Sequence, residues 1–256
     1  RGADRWDDVS LANQVRRDAY DKEVLAKIKR IARGELSPED ATSYDLFLHK
    51  YEDAVLGQPF HLHLLPINQR GGIQTIDDLS DALPFAMVKH YEDWNARLAS
   101  FPKYMDQTIE LLAQGAREGL THPKIVMQRV TQQIDKQIVD DETKSPFFAP
   151  YQKVQDPSPV PPAVRERLAS DAKRAIREAV IPAFKKLKTF WATTYLPACK
   201  DEVGAWQRPN GRAAYAYLVR LHTTTNLSPD DVHAIGLREV ARIRGEMEAM
   251  KAKAGF

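Results

Sequence analysis

Apolar residues recur every three to five positions along most of this chain, which is the spacing of helices with one buried face. The first such segment follows Ser10, a preferred helix N-cap residue, and Gly34 marks its end. A second follows Ser37, where a capping serine, a proline and two acidic residues form a typical helix start, and it closes near Gly57. Similar patterns predict helices over residues 75–83, 89–100, 101–119, 121–138 and 163–195. The short links favour antiparallel neighbours, so we expect an all-α fold, a multi-helix array of antiparallel helices.

Two prolines affect these predictions. Phe101-Pro102 is interpreted as the start of a new helix, because proline suits the first helical turn. Pro182 falls inside the predicted helix 163–195 and is expected to kink it, since it lacks the backbone donor and crowds the preceding turn.

Residues 58–73 interrupt the helical pattern and carry at most a minor β element, near 60–73. Residues 61–64 alternate between histidine and leucine with period two, so an extended backbone would place His61 and His63 on the same side, as two metal ligands would require. Because no third ligand is near in sequence, the pattern favours an exposed or hydrogen-bonded extended loop over a metal site.

Residues 140–162 form the longest irregular stretch and contain six prolines. A stretch of this length is functional or a linker. Phe147, Phe148 and Tyr151 favour a crossover that packs onto the helices, because aromatic side chains gain nothing in a solvated tether. We therefore expect residues 1–256 to form a single helical domain or the N-terminal half of a larger helical protein, with a possible subdivision at 140–162.

The last part of the chain, from Arg208 to Met250, has the clearest pattern. A turn at Asn210-Gly211 precedes one helix, and the threonine run 223–225 disfavours its continuation. Ser228 then begins another helix with the same serine, proline and acid order as Ser37. Its apolar positions are expected to be exposed, or covered by a neighbouring molecule; they are Val232, Ile235, Leu237, Val240, Ile243, Met247 and Met250.

Composition excludes few classes of protein. The 37 basic and 35 acidic residues give a formal net charge of +2, and no basic run is interleaved with aromatics, so we predict no nucleic-acid partner. The longest apolar runs are too short for a transmembrane segment. The single cysteine, Cys199, is interpreted as a small half-buried residue rather than a reactive thiol, and it forms no cluster with zinc-finger spacing.

Several segments resemble a bacterial family catalogued as "domain of unknown function 885". They are RWDDVS at 5–10, LPINQRGG at 65–72, HYEDWNARLASFPKYMDQTIELLAQGAREGL at 90–120, HPKIVMQRV at 122–130, TTTNLSPDDVHAIGL at 223–237 and EVARIRGEME at 239–248. The resemblance covers essentially the whole chain and lies in the order and residue sequence of these segments rather than in one catalytic signature.

The resemblance implies an exported bacterial protein similar to helical zinc metallopeptidases. In that family a His-Glu pair and a Pro-Gly-His-His motif provide the metal site, with two histidines on zinc and the glutamate activating water. This sequence contains no His-Glu pair, so we assign no catalytic or metal residue and no cofactor to it. We expect zinc in a complete protein, a metal motif beyond residue 256 and a missing C-terminal half as partner. The implied location is periplasmic, secreted or membrane-anchored as a lipoprotein, with the cytoplasm left open.

The function implied is that of a cleft-forming N-terminal part of a zinc-dependent peptidase, with a peptide as substrate. The alternative is a non-enzymatic helical scaffold, or a module that binds peptides or proteins, because the chain shows no nucleophile triad, metal cluster or phosphate loop. The candidate substrate-binding residues lie in the family-like stretch and are Tyr215, Tyr217, Arg220, His222 and His233. Arg220 has the chemistry to bind a peptide carboxylate, with a surface ion pair as its other interpretation.

Overall fold

The computed structural model describes residues 2–153 and 160–255 and confirms the all-α class. Its helices are α1 (Leu11–Ile28), α2 (Pro38–Gly57), α3 (Leu79–Ala82), α4 (Val88–Glu118), α5 (Lys124–Lys136), α6 (Ala149–Gln152), α7 (Pro162–Ala175), α8 (Ile181–Phe190), α9 (Leu196–Ala198), α10 (Gly211–Thr223) and α11 (Pro229–Ala254). Within the described ranges the only β feature is an isolated antiparallel bridge between Asn68 and Gly71. None of these helices combines the length and apolarity needed to cross a bilayer.

The chain folds into two compact units. The first comprises Arg1–Glu23 and His61–Gly204, and the second comprises Val24–Phe60 and Ala205–Phe256. Both described sides of the proline-rich stretch belong to the first unit.

Helix α4 organises the core of the first unit. One face buries Trp94, Leu98, Phe101 and Met105 almost completely. The predicted helix break at Phe101-Pro102 is wrong, because α4 continues through Pro102 as one helix. An internal proline costs about 3 kcal/mol, and the continuous buried stripe on both sides of it offsets that cost.

The predicted disturbance at Pro182 takes the form of a wider helical turn. A π-helical segment, Ile176–Val180, joins α7 to α8, and the N–H of Ile181 bonds the carbonyl of Ile176. Pro182 follows in the first turn of α8, where its missing donor is tolerated. A second π segment, Trp191–Tyr195, joins α8 to α9, so the long helix continues through both irregularities.

The extended interpretation of residues 61–64 is wrong. Leu62–Leu64 form a 3₁₀ turn that follows His61, whose backbone is left-handed with φ of 46°. Leu64 is fully buried and clusters with Leu111 and Leu120. Burial of this one leucine against α4 prevails over the alternating pattern, which carries no information about tertiary contacts.

The described part of the proline-rich stretch packs as expected. Phe147 and Phe148 are buried, and the indole N–H of Trp94 donates to the carbonyl of Phe147 at 3.0 Å. Residues 154–159 of the predicted crossover lie outside the described residues.

The second unit is held by α2, α10 and α11 and buries little. Helix α2 starts at the predicted cap, where the Ser37 hydroxyl accepts from the Asp40 N–H at 3.1 Å. Helix α11 starts with a complete capping box between Ser228 and Asp231. No residue of α11 is buried, so its 26 residues contribute no side chain to the core of this unit.

Candidate functional site

A buried carboxylate lies at the centre of the candidate site in the second unit. Asp53, on α2, is only 4% exposed. Its Oδ2 lies 3.1 Å from Nε2 of His49, one helical turn earlier, and its Oδ1 lies 3.5 Å from Nη2 of Arg220 on α10. The second contact has ion-pair distance without hydrogen-bond geometry, and Oδ1 accepts no hydrogen bond among the described residues. Asp53 therefore makes two side-chain contacts at ion-pair distance, one to His49 and one to Arg220.

Tyr217 fixes the position of α10 next to this carboxylate. Its hydroxyl donates to the backbone carbonyl of Asp53 at 3.1 Å, and its ring packs on Phe60 with centroids 5.2 Å apart. Gly57 makes this possible, because a Cβ at that position would overlap the Tyr217 hydroxyl. Burial raises the pKa of Tyr217, and the negative charge of Asp53 raises it further. The tyrosine is therefore a neutral donor at physiological pH.

The arrangement leaves Arg220 able to act on a ligand. Its side chain is 38% exposed, while Asp53 contacts Nη2. A guanidinium has five donors in a planar fork, so the remaining N–H groups are available to pair with a carboxylate or phosphate. The cluster can bind an anionic group, with Asp53, His49 and Tyr217 positioning the arginine.

The sequence-predicted residues divide into two groups. Tyr217 and Arg220 meet at Asp53, whereas Tyr215, His222 and His233 are exposed. Across the described residues no hydrogen bond or ion pair links these last three to Asp53. Their roles stay predictions.

The sequence analysis did not identify Asp53 and His49 as candidate site residues. Both are polar residues inside an amphipathic helix, where a charged side chain is expected to face solvent. Their i,i+4 spacing is the one available signal, and it occurs by chance in many helices.

His61 and His63 form a second polar cluster, in the first unit. Their ring centroids are 5.8 Å apart, and Nδ1 of His61 lies 3.3 Å from a carboxylate oxygen of Glu118. Burial lowers the pKa of His63, and the neighbouring His61 lowers it further. Throughout residues 2–153 and 160–255, no group of three or more His, Cys, Asp or Glu side chains is arranged to hold a metal ion. The described residues therefore do not fit a zinc site, and the polar contact of this cluster is the hydrogen bond between His61 and Glu118.

A cavity of about 460 Å³ lies beside α4 and α7 in the first unit. Its lining includes Arg167 and Arg174, and both pair with Asp171, at 3.6 and 2.8 Å. Because three carboxylates, those of Glu92, Asp171 and Glu178, line the cavity beside these two arginines, the Asp53 cluster is the better candidate for an anion site.

Cys199 behaves as an inert thiol. It is 5% exposed, its Sγ–H donates to the carbonyl of Tyr195 at 3.3 Å, and burial raises its pKa to about 11. A thiol in this environment is almost wholly protonated at neutral pH and is a poor nucleophile.

Comparisons with known proteins give the fold and the family. The crystal structure named "the putative lipoprotein from Colwellia psychrerythraea" superposes with a TM-score of 0.85 at 20% identity, over 96% of this chain. This chain spans only 44% of that protein's length. A search of curated protein sequences finds no match. The family model described as "Bacterial protein of unknown function (DUF885)" matches residues 1–256, and the chain therefore belongs to that family.

Proposed function

We propose that this chain is the N-terminal, substrate-binding part of a zinc-dependent peptidase whose metal ligands lie elsewhere in a longer polypeptide. The observation that carries the proposal is the half-exposed Arg220, held by the buried carboxylate of Asp53. Such an arginine suits recognition of a peptide's terminal carboxylate, because a guanidinium forms paired hydrogen bonds with that group. The resemblance to helical zinc peptidases and the length of the Colwellia protein support the remaining part of the proposal.

In this proposal Arg220 binds the substrate and its neighbours position it. Asp53 holds the guanidinium and His49 contacts the other oxygen of Asp53, while Tyr217 holds α10 against α2 through the Asp53 carbonyl. Tyr215, His222 and His233 contribute to substrate binding from exposed positions on α10 and α11. Zinc would supply the activated water from its own site, and the described residues take no part in that step.

We also propose an exported location, with a lipid anchor as one form of it. The name of the Colwellia protein supports this location. Fractionation of cells that express the complete gene, with and without globomycin to block lipoprotein processing, tests it. A protein that stays in the cytoplasmic fraction would contradict the proposal.

The enzymatic proposal is tested on the complete gene product. We expect about one zinc per chain by elemental analysis and hydrolysis of unstructured peptides that chelators abolish. Arg220→Ala should raise KM by about tenfold or more for peptides with a free C-terminal carboxylate, because a charge-assisted pair contributes about 1.5–3 kcal/mol. The same peptides with an amidated C-terminus should show little change.

Arg212→Ala is the matched control, since Arg212 is an exposed arginine in the first turn of the same helix. It should leave both KM values unchanged. A complete protein without zinc would overturn the peptidase proposal. Equal effects of Arg220→Ala on free and amidated peptides would overturn the carboxylate role alone.

A scaffold or binding module is the second candidate, and the exposed apolar positions of α11 favour it. It predicts a complete protein that cleaves no peptide but binds an amphipathic helical peptide. Loss of that binding in a variant with a polar residue at Met247 would support it, and zinc-dependent hydrolysis would exclude it as the sole function.

A further inference from the structure

Helix α11 carries an apolar seam that no described residue of the second unit covers. Its positions alternate in steps of four and three residues, the a and d spacing of helices that pack in pairs. The seam residues are Gly236, Val240, Ile243, Met247, Met250 and Ala254. The four large ones are between 45% and 67% exposed. A row of this kind is a feature of binding surfaces, because isolated helices gain nothing from exposed apolar side chains.

The residues beside the seam have opposite charges on its two sides. Glu239 and Glu246 occupy one flank, which ends at Lys253, and Arg244 and Lys251 occupy the other, where Lys251 pairs with Glu248 at 2.9 Å. Arg242 bonds both glutamates, at 2.8 and 2.7 Å, from the side away from the seam. A helix that fits must therefore be apolar at its centre, basic along the glutamate flank and acidic along the Arg244 flank.

The length of the seam indicates where such a helix comes from. Gly236 to Ala254 is less than three heptads, which is shorter than the roughly three to four heptads or more that are typical of a coiled coil. A helix tethered in the same polypeptide is present at millimolar effective concentration and needs no such length. The Colwellia protein provides the precedent for additional chain, since this fold occupies 44% of it.

We propose that the seam of α11 is the docking surface for an amphipathic helix from another part of the same, longer polypeptide. This inference rests on the longer polypeptide of the proposed function and is independent of zinc and of hydrolysis. Gly236 and Ala254 allow close approach at the two ends, and a Cβ at Gly236 would meet no atom within 4 Å.

Hydrogen exchange of α11 tests the inference by comparing the complete gene product with the 256-residue chain. Amides between Val240 and Met250 should exchange at least about tenfold more slowly in the complete protein, because docking suppresses local opening. Ile243→Glu, in the seam, should abolish that protection. Ala249→Glu, on the opposite side of the helix, should preserve it and serves as the matched control.

Each outcome decides a different point. Equal exchange in both proteins, or a complete product that ends at residue 256, overturns the inference. Protection that grows with protein concentration and disappears when Ile243→Glu produces a monomer assigns the seam to a second copy instead. Zinc-dependent hydrolysis with an unprotected α11 overturns this inference alone, while a protected α11 without zinc overturns the peptidase proposal alone.

Discussion

Replacing Arg220 by methionine should destabilise the second unit through Asp53. The substitution keeps most of the apolar stem of the side chain and removes the guanidinium that lies 3.5 Å from the carboxylate. Asp53, which is 4% exposed, would then keep His49 as its only partner in the cluster. A buried carboxylate that loses its counter-charge retains its desolvation penalty without the compensating attraction.

The size of the effect follows from burial and distance. Two unit charges 3.5 Å apart attract by about 5 kcal/mol at an effective dielectric of about 20, and by about 1 kcal/mol in bulk water. Breaking a fully buried pair costs about 3–5 kcal/mol, but Arg220 is 38% exposed and solvent screens its charge. We therefore expect a loss of about 1–2 kcal/mol from the free energy of local opening of α2 and α10.

A double-mutant cycle with Asp53→Asn isolates the interaction. Arg220→Met should cost less than about 0.5 kcal/mol in the Asp53→Asn background, because no buried charge remains to be neutralised. Hydrogen exchange of α2 and α10 peptides at low and high salt is the measurement, with the coupling reduced at high salt. An equal cost of Arg220→Met in both backgrounds would refute the ion-pair argument and leave packing as the cause.

Three further experiments test the structure. Gly57→Ala should lower the free energy of unfolding by about 1–3 kcal/mol, because its new methyl group overlaps Tyr217. Gly245→Ala, in open space on α11, should raise it by about 0.5–1 kcal/mol, and thermal unfolding compares the two variants. Cys199 should react with iodoacetamide at pH 8 at least about a hundredfold more slowly in the folded than in the unfolded protein, since burial raises its pKa from 9.0 to about 11. For the same reason, the contribution of this thiol to the free energy of unfolding should decline as the pH rises from 9 towards 11. Ser228→Ala should cost about 1 kcal/mol of helix stability, visible as faster exchange in the first turn of α11, because it removes the acceptor for the Asp231 N–H.

The sequence predicts helices well where they begin with a strong local signal. The caps at Ser37 and Ser228 are both present, since a serine hydroxyl, a proline and early acids act within a single turn. Prediction failed at Phe101-Pro102 and at His61–Leu64, where tertiary burial decided the conformation. Local patterns do not show that the apolar stripe of α4 continues across Pro102 or that Leu64 is buried, so these corrections needed the folded structure.

The candidate site was only half predictable for a related reason. Tyr217 and Arg220 belong to the stretch with the clearest sequence pattern, which made them candidates. Their partner Asp53 is about 160 positions earlier and has no distinguishing local signal. An aspartate in an amphipathic helix is assigned to solvent by default. Only the approach of α10 to α2, permitted by Gly57, converts it into the buried centre of a cluster.

The Asp53 cluster and the α11 seam both follow from the small apolar core of the second unit. Among its described residues, large buried apolar side chains are few, Ile28 and Tyr51, so polar contacts between α2 and α10 supply much of its specificity. A helix covering the α11 seam would add the apolar burial that this unit lacks and, by restraining α11, would also steady the end of α10 that carries Arg220. The docking surface and the anion site are therefore physically linked. Slower hydrogen exchange of α11 in the complete protein should be accompanied by slower exchange in α10. Protection confined to α11 would show that the two sites are independent.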